Sequence, residues 1–554
     1  MRSRSMLAFV LAVLVVAPVA TFAAAPPSGA EIQALLDQRV AAAPGTAIVV
    51  GVLDGDTTQI YKAGNTGTAT PLDEHTQFEI GSVTKTFTGT ILASMVLDHS
   101  VALSDPVQRY VPSGVRIPSR GGKQITLLEL ATQHSGLPRM PGNFDPKDPN
   151  DPYADYSLDA MYAFLNGYTL PRDPGATFEY SNLGVGLLGD VLANRAHTTY
   201  AQLLRARVLA PLGMNDTAIV AAGEHPAGMA VAHDADGDVV KPWTFGAIAP
   251  AGAIRSDVAD MLRYVRCNMG QGPLGRTCLF AQEPSDTFPG NRIGLVWWTG
   301  AVRPIVHHGG DTTGFHASVA ISPDHHRGVV VLTSGGDPVD NLAIHLIDAS
   351  IPVGASESEA VVTLDTRQLD EYVGTYAGEG TTYTVKRDGD RLTAQLAGQQ
   401  FARIYPSAKD RFFYKIVNAQ IEFTRDASGK VNAIVLHQDG QRGVFVRPGM
   451  AAPTLGPVAA PSYPPVFALD AATLDSYVGT YLAGAGTAFT VARTADGITV
   501  QLTGQPAFAL FASAKDRFYL KVVPAQIDFQ RDAAGKVNGL VLHQNGANVP
   551  AVKQ

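Results

Sequence analysis

Phe78-Glu79-Ile80-Gly81-Ser82-Val83-Thr84-Lys85 ends a short apolar run on a glycine, and a helical pattern starts directly after it. Phe87, Ile91, Leu92, Met95 and Val96 recur beyond it at helical spacing, which predicts a helix with one buried side. Ser82 and Lys85 stand three residues apart, so one face of that helix carries a hydroxyl beside an amine. With Ser82 at the helix start, free backbone N–H groups and the helix dipole favour negative charge developing there and a neutral Lys85. Ser-x-x-Lys occurs once in the 554 residues. An N-cap serine with a surface lysine is the plainer alternative.

Two further motifs follow. Tyr180-Ser181-Asn182, the one Tyr-x-Asn of the chain, opens the apolar run Leu183, Val185, Leu187 and Leu188. A phenol titrates near ~10, but beside a cationic lysine its anion becomes accessible, so Tyr180 is a candidate to take the Ser82 proton or pass it to a leaving group. Asn182 offers an amide to orient Lys85 or a substrate. His307-His308-Gly309-Gly310-Asp311 then supplies glycines along which a substrate lies close, and a backbone N–H that can pair with that of Ser82 as an oxyanion hole. The motif is placed at His308 because the glycine pair follows it directly, although His307-His308-Gly309 fits the same loose pattern.

Around these motifs, residues 30–350 mix strand and helix patterns. Residues 47–53 are β-rich and end in the turn formers Asp54-Gly55, so they open a hairpin. Residues 328–332 read as a buried strand and 340–347 as a closing helix. Beyond Ile351-Pro352 short alternating runs with Gly and Asp turns take over, without a good helix, and the chain repeats itself. Tyr372-Val373-Gly374-Thr375-Tyr376 recurs 105 residues later at Tyr477, while Ser407-Ala408-Lys409 and Leu436-His437-Gln438 recur at an offset of 106. One residue is therefore gained between Tyr481 and Phe489, assigned to a Gly/Ala turn. Leu392, Ala394 and Leu396 alternate inward, as do Ile498, Val500 and Leu502, which suits two copies of a small up-and-down barrel or, second, a sandwich.

The expected organisation is a signal segment at 1–24, a mixed domain at 25–355, β repeats at 362–447 and 466–554, and a stiff Pro-rich linker at 448–465. Arg2 and Arg4 precede an apolar run, and Ala23-Ala24-Ala25 offers a cleavage site, so the chain is read as secreted or periplasmic and soluble after cleavage, with an uncleaved anchor as the alternative. Cys267 and Cys278 are either bridged or two free thiols. A net charge of -8 and the lack of a Lys/Arg stripe exclude nucleic acid as a partner. His437 and His543 match between repeats but have no ligand cluster around them, so they are read as core or turn residues, and no metal or cofactor is called for. His-Glu-x-x-His and Gly-x-Ser-x-Gly are absent, which argues against a zinc protease and an α/β-hydrolase.

Ser-x-x-Lys, Tyr-x-Asn and a basic residue with glycines, in that order, resemble the serine β-lactamase and penicillin-binding-protein superfamily, in its class C, D-aminopeptidase and esterase branch. Phe78 to Ser82, Leu130-Ala131-Thr132-Gln133-His134-Ser135-Gly136-Leu137-Pro138, Pro211-Leu212-Gly213-Met214 and Gly294-Leu295-Val296-Trp297-Trp298 look like that branch too, over residues 30–350. The resemblance implies an α/β domain: an antiparallel sheet flanked by helices, an inserted helical lobe and a site in the cleft between them. It implies Ser82 as nucleophile, Lys85 as base, Tyr180 as proton shuttle, Asn182, His308, Gly309 and Gly310 on the substrate, and the amides of Ser82 and Asp311 as oxyanion hole. The repeats resemble lipocalin-like domains that trail such enzymes. His308 stands where β-lactamases carry a lysine, so the expectation is hydrolysis of an amide or ester in a small molecule or short peptide, D-residues and a cell-wall origin among the options. A β-lactamase and a non-catalytic cell-envelope binding protein are the alternatives.

Overall fold

The computed structural model describes residues 26–554 apart from 221–223, 225–227, 289, 301–302, 336–337, 352, 354–360, 379–380, 398–400, 416–418, 439–440, 454–466, 485–486, 495–496, 504–506, 521–524, 533 and 545–546. The expected signal segment and most of the Pro-rich linker lie outside the described residues. Among the described residues no helix is long and apolar enough to cross a membrane.

The Val-rich run predicted as a strand is β1 (Ala47–Asp54), buried along nearly its whole length. Asp54-Gly55, with Gly55 at φ +56°, turns it into β2 (Thr57–Gly64). The chain rejoins this sheet only through β3 (Asp286–Phe288), β4 (Asn291–Ile293), β5 (Trp298–Gly300), β6 (Val306–Asp311), β7 (His316–Ile321) and β8 (Arg327–Thr333). The order is β2-β1-β8-β7-β6-β5-β4-β3 with every pairing antiparallel. Helices Gly29–Ala42 and Asp340–His345 bury Ile32, Leu36 and Leu342 on one face, and Val258–Asn268 packs on the other. The helical lobe is inserted between β2 and β3.

Helix Thr84–Leu97 departs from the expected one-sided pattern, because every residue from Thr84 to Ala93 is buried. Its polar side consists of threonines that satisfy their hydroxyls indoors: Thr86 on the Val83 carbonyl at 2.7 Å, Thr88 on that of Pro250 at 2.7 Å and Thr90 on that of Thr86 at 2.9 Å. Uncharged hydroxyls let a helix be enclosed on all sides.

The repeats are closed eight-stranded barrels, from Gly374–Gly378 to Gln441–Val446 and from Gly479–Gly484 to Ala547–Lys553. Each is preceded by a short helix that the alternating pattern did not suggest, Thr366–Asp370 and Ala471–Tyr477. A shared frame explains the repeated motifs: Tyr372 donates to Asp410 at 3.0 Å and Tyr477 to Asp516 at 2.8 Å, each aspartate also held by an arginine, Arg425 or Arg531. The gained residue is a β-bulge between Leu482 and Gly484 rather than a longer turn, since Gly378 pairs with Thr381 and Gly484 with Thr487 across equal turns. His437 is a strand residue opposite Gln420, 3.5 Å from Glu422 and about a third exposed, rather than a core or turn residue. The first barrel is fastened to a turn of the mixed domain through Arg391 on Asp238, Arg403 on Asp236, and Lys415, 3.4 Å from Asp236 and 3.2 Å from the Ala235 carbonyl.

Cys267 and Cys278 form a disulfide with their Cα atoms 5.9 Å apart, tying helix Val258–Asn268 to helix Gly275–Gln282. Replacing both by alanine should cost about 2–4 kcal/mol, read by calorimetry as a lower Tm for the mixed domain. Thiol titration of the unreduced, denatured protein should find no free thiol; two equivalents would overturn the pairing.

Candidate active site

Ser82 sits in one 3-10 turn, Gly81–Val83, that runs straight into helix Thr84–Leu97. Gly81 adopts φ +46°, and a Cβ there would stand 2.6 Å from the Asp311 amide. At Gly310 a Cβ would lie 2.1 Å from the Ile80 carbonyl and 2.7 Å from the Ser82 amide. Only glycine at both positions lets β6 press against the serine turn. The amides of Ser82 and Asp311 are brought together across that gap, the arrangement an oxyanion hole requires.

The Lys85 amine is fully buried, 2.8 Å from Ser82 Oγ and 2.8 Å from the Ala251 carbonyl. Burial drives it well below the usual lysine range, Arg139 pushes the same way, and Asp311 opposes them. Among the described residues no carboxylate forms an ion pair with it. The downward shift thus comes mainly from burial.

Tyr180 is placed by the segment quoted above from Leu130 to Pro138. Gln133, at φ +62°, accepts the Ser181 amide on its side chain at 2.8 Å and the Glu179 amide on its carbonyl at 2.8 Å. Ser181 donates to the Pro138 carbonyl at 2.6 Å and caps helix Asn182–Arg195 by accepting from the Gly184 amide at 2.8 Å. The Tyr180 ring then lies 4.9 Å from Lys85 Nζ. Burial raises its phenol to about 12, against the pull of the Ser82 hydroxyl and Arg139. This corrects the expectation of an accessible phenolate beside a cationic lysine. Burial lowers the lysine and raises the phenol, so the two shift in opposite directions.

Asn182 does not contact Lys85; its amide nitrogen lies 3.5 Å from the Tyr153 hydroxyl and 3.8 Å from Met140 Sδ, on the cleft wall. The Ala251 carbonyl orients the lysine instead. His308 shares with Gly310 the strand face that abuts the Ser82 turn, whereas Gly309 faces Asp340. Burial, with Lys85 nearby, lowers His308 to about 3; its Nδ1 lies 2.6 Å from the Gly309 carbonyl, its Nε2 has no partner among the described residues, and Trp298 packs beside it at 5.1 Å. His307 is lowered to about 4 by burial alone.

Sequence reasoning missed Arg139. Its guanidinium sits 5.0 Å from the Tyr180 ring, and no carboxylate pairs with it among the described residues. The sole signal was a basic residue directly after Ser135-Gly136-Leu137-Pro138. It also missed Asp340, raised to about 6 by burial and by Asp311. Ser82, Arg139, Tyr180, Asn182, His308 and Asp340 line one cavity of about 1090 Å³, and Lys85 lies behind Ser82, outside that lining. His75, Asp216 and Asp257 each place a possible metal ligand within 4.8 Å of the others, but none lines that cavity.

The family described as Beta-lactamase matches residues 32–349, and a domain of unknown function, DUF3471, matches residues 358–447 and again 464–550. The D-alanyl-D-alanine-carboxypeptidase/endopeptidase AmpH of Escherichia coli (strain K12) is 32% identical over 188 residues, 34% of this chain and 47% of AmpH, so the chain spans about half the length of that relative. Penicillin-binding protein 4* of Bacillus subtilis (strain 168) is 24% identical over 415 residues, 68% of this chain and 89% of that protein. A solved β-lactamase/D-alanine carboxypeptidase from Yersinia pestis, complexed with citrate, matches with a TM-score of 0.49 and 25% identity over 56% of this chain and 94% of its own.

With His307 and His308 neutral in the folded protein, the unfolded chain binds more protons below the ~6.5 at which a free histidine charges. Stability should therefore fall as the pH drops below about 6.5, a loss that continues until His308 itself protonates near 3. Side-chain NMR should show no titration of His308 between pH 5 and 9; a midpoint near 6.5 would contradict its burial.

Proposed function

The chain belongs to the beta-lactamase family of serine hydrolases, and from that premise we propose that it is an exported hydrolase forming an ester on Ser82 with an amide or ester substrate, most readily a peptidase acting on short, carboxylate-bearing peptides or an esterase. One observation carries the reading: a fully buried lysine, lowered in pKa and 2.8 Å from a serine hydroxyl. Lys85 Nζ takes the Ser82 proton as Oγ bonds to the substrate carbonyl. The negative oxygen that results faces the amides of Ser82 and Asp311. Tyr180, holding its proton, relays one from Lys85 to the leaving nitrogen or oxygen as that bond breaks, and water reverses the sequence to free the acid.

Arg139 supports the carboxylate preference. The neutral His308 gives a substrate anion no charge to meet, whereas Arg139 is a permanent cation on the cleft wall. The same cation gives a second reading, β-lactam hydrolysis, its footing. Export rests on the N-terminal signal pattern and on a disulfide suited to an oxidising compartment. A D-amino, cell-wall-derived substrate accords with the D-alanyl-D-alanine carboxypeptidase named among the relatives.

Incubation with a fluorophosphonate should add one probe mass to the protein and none to Ser82→Ala, and Ser82→Ala should lose about 10³-fold or more in hydrolysis of p-nitrophenyl esters and D-aminoacyl amides. The same intact-mass measurement reads whether the first two dozen or so residues are gone. An unlabelled wild type would favour a binding protein, and nitrocefin turnover would favour a β-lactamase. Arg139→Gln should raise KM for carboxylate-bearing substrates about tenfold or more relative to neutral esters. Because Arg139 lowers Lys85, its removal raises the lysine, so the acidic limb of the kcat/KM profile should move to higher pH. An unmoved limb would show that Lys85 is not the base.

A further inference from the structure

The cavity above Ser82 continues into the first barrel, where Tyr383, Ala394, Leu396, Tyr414, Ala419 and Leu436 form its far wall. Several of these belong to the barrel's own interior set. Tyr383 and Ala394 are core residues, and Leu396, Tyr414 and Leu436 pack half-buried against that core. Along strand Arg391–Leu396 the inward side chains run from Leu392 and Ala394, both 1% exposed, to the half-buried Leu396. Elsewhere the barrel is plugged by Tyr372, Phe412 and Phe423, whose rings lie 4.6 to 5.4 Å apart. The lumen therefore opens on the catalytic cleft. An eight-stranded barrel has room for its side chains or for one small ligand.

The second barrel shows what would close such a mouth. Ala394 pairs across the strands with Ala402, and the matching pair in the second barrel is Val500 with Phe508. Cross-strand partners project to one face, so two alanines stand where the twin has a valine and a phenylalanine packed on its core. The clamp differs as well. Arg391 and Arg403, which hold the first barrel to Asp238 and Asp236, correspond to Gly497 and Ala509. The emptied mouth and the clamp that points it at the cleft occur together in one copy. At the rim the Tyr383 and Tyr414 hydroxyls bond each other, and Arg403, on the same wall, is held by Asp236.

We propose that the mouth of the first barrel is a binding site for an apolar group of the substrate, so that the compounds hydrolysed at Ser82 carry an aliphatic or aromatic substituent seated between Ala394, Ala402 and Leu396. This rests on the Ser82 reading above. A cavity of about 1090 Å³ is ample for a short peptide or ester together with such a group.

The test compares p-nitrophenyl acetate with octanoate, and ethyl with octyl esters of one acid, in wild type and in Ala394→Val/Ala402→Phe, which copies the residues the second barrel already accommodates. Wild-type kcat/KM should rise about tenfold or more with length in at least one series, and the filled variant should lose about tenfold or more of that long-to-short ratio. Val500→Ala/Phe508→Ala should keep the wild-type ratio. The proposal fails if neither series shows a length preference, or if the filled variant keeps the ratio. Hydrolysis that survives Ser82→Ala would overturn the catalytic reading instead. The pocket is then read by fluorescence titration of Ser82→Ala with dansyl-undecanoate, where binding that the filled variant loses supports the site and equal or absent binding refutes it.

Discussion

A primary amine kept out of water beside a serine hydroxyl constrains everything around it. An ammonium in that place would need a carboxylate partner, and among the described residues there is none. Burial instead shifts the amine towards its neutral form, hydrogen-bonded to the Ala251 carbonyl and the Ser82 hydroxyl. Helix Thr84–Leu97 must be enclosed for this, and threonines in place of charged residues allow it. β6 must close over the serine turn, and Gly81 and Gly310 allow that. The site thus depends on burial more than on any one hydrogen bond.

Burial also separates the proton affinities of the groups around Ser82. It lowers the lysine and raises the tyrosine, the division of labour on which the proposed mechanism draws. It neutralises both histidines of β6, which removes the charge that the third motif would otherwise supply. Arg139 remains charged on the cleft wall and acts on Lys85 and Tyr180 alike.

The two barrels show how a duplicated module diverges without losing its frame. The Tyr–Asp–Arg bracket is kept in both, since it ties the helix entering each barrel to a strand turn. What changed lies at the rim and mouth, where side-chain volume can vary with no cost to the ladder. Alanine for phenylalanine and valine leaves space, and arginine for glycine and alanine makes an attachment.

The order Ser-x-x-Lys, Tyr-x-Asn, His-Gly-Gly, the opening hairpin and the duplicated β modules were legible from the sequence alone, because each rests on local spacing or on periodicity along one segment, whereas the antiparallel sheet flanked by helices was implied only by the family resemblance those motifs carry. The pairing of Cys267 with Cys278 stood open there, as did the choice between barrel and sandwich. Full enclosure of the Ser82 helix, the Ala251 carbonyl that holds Lys85, the placement of Arg139, the inverted roles of lysine and phenol, and the joining of the first barrel's lumen to the cleft came only from the tertiary structure. All of these depend on groups distant in sequence meeting in space and excluding water, and a proton's affinity follows that enclosure, not the identity of its residue.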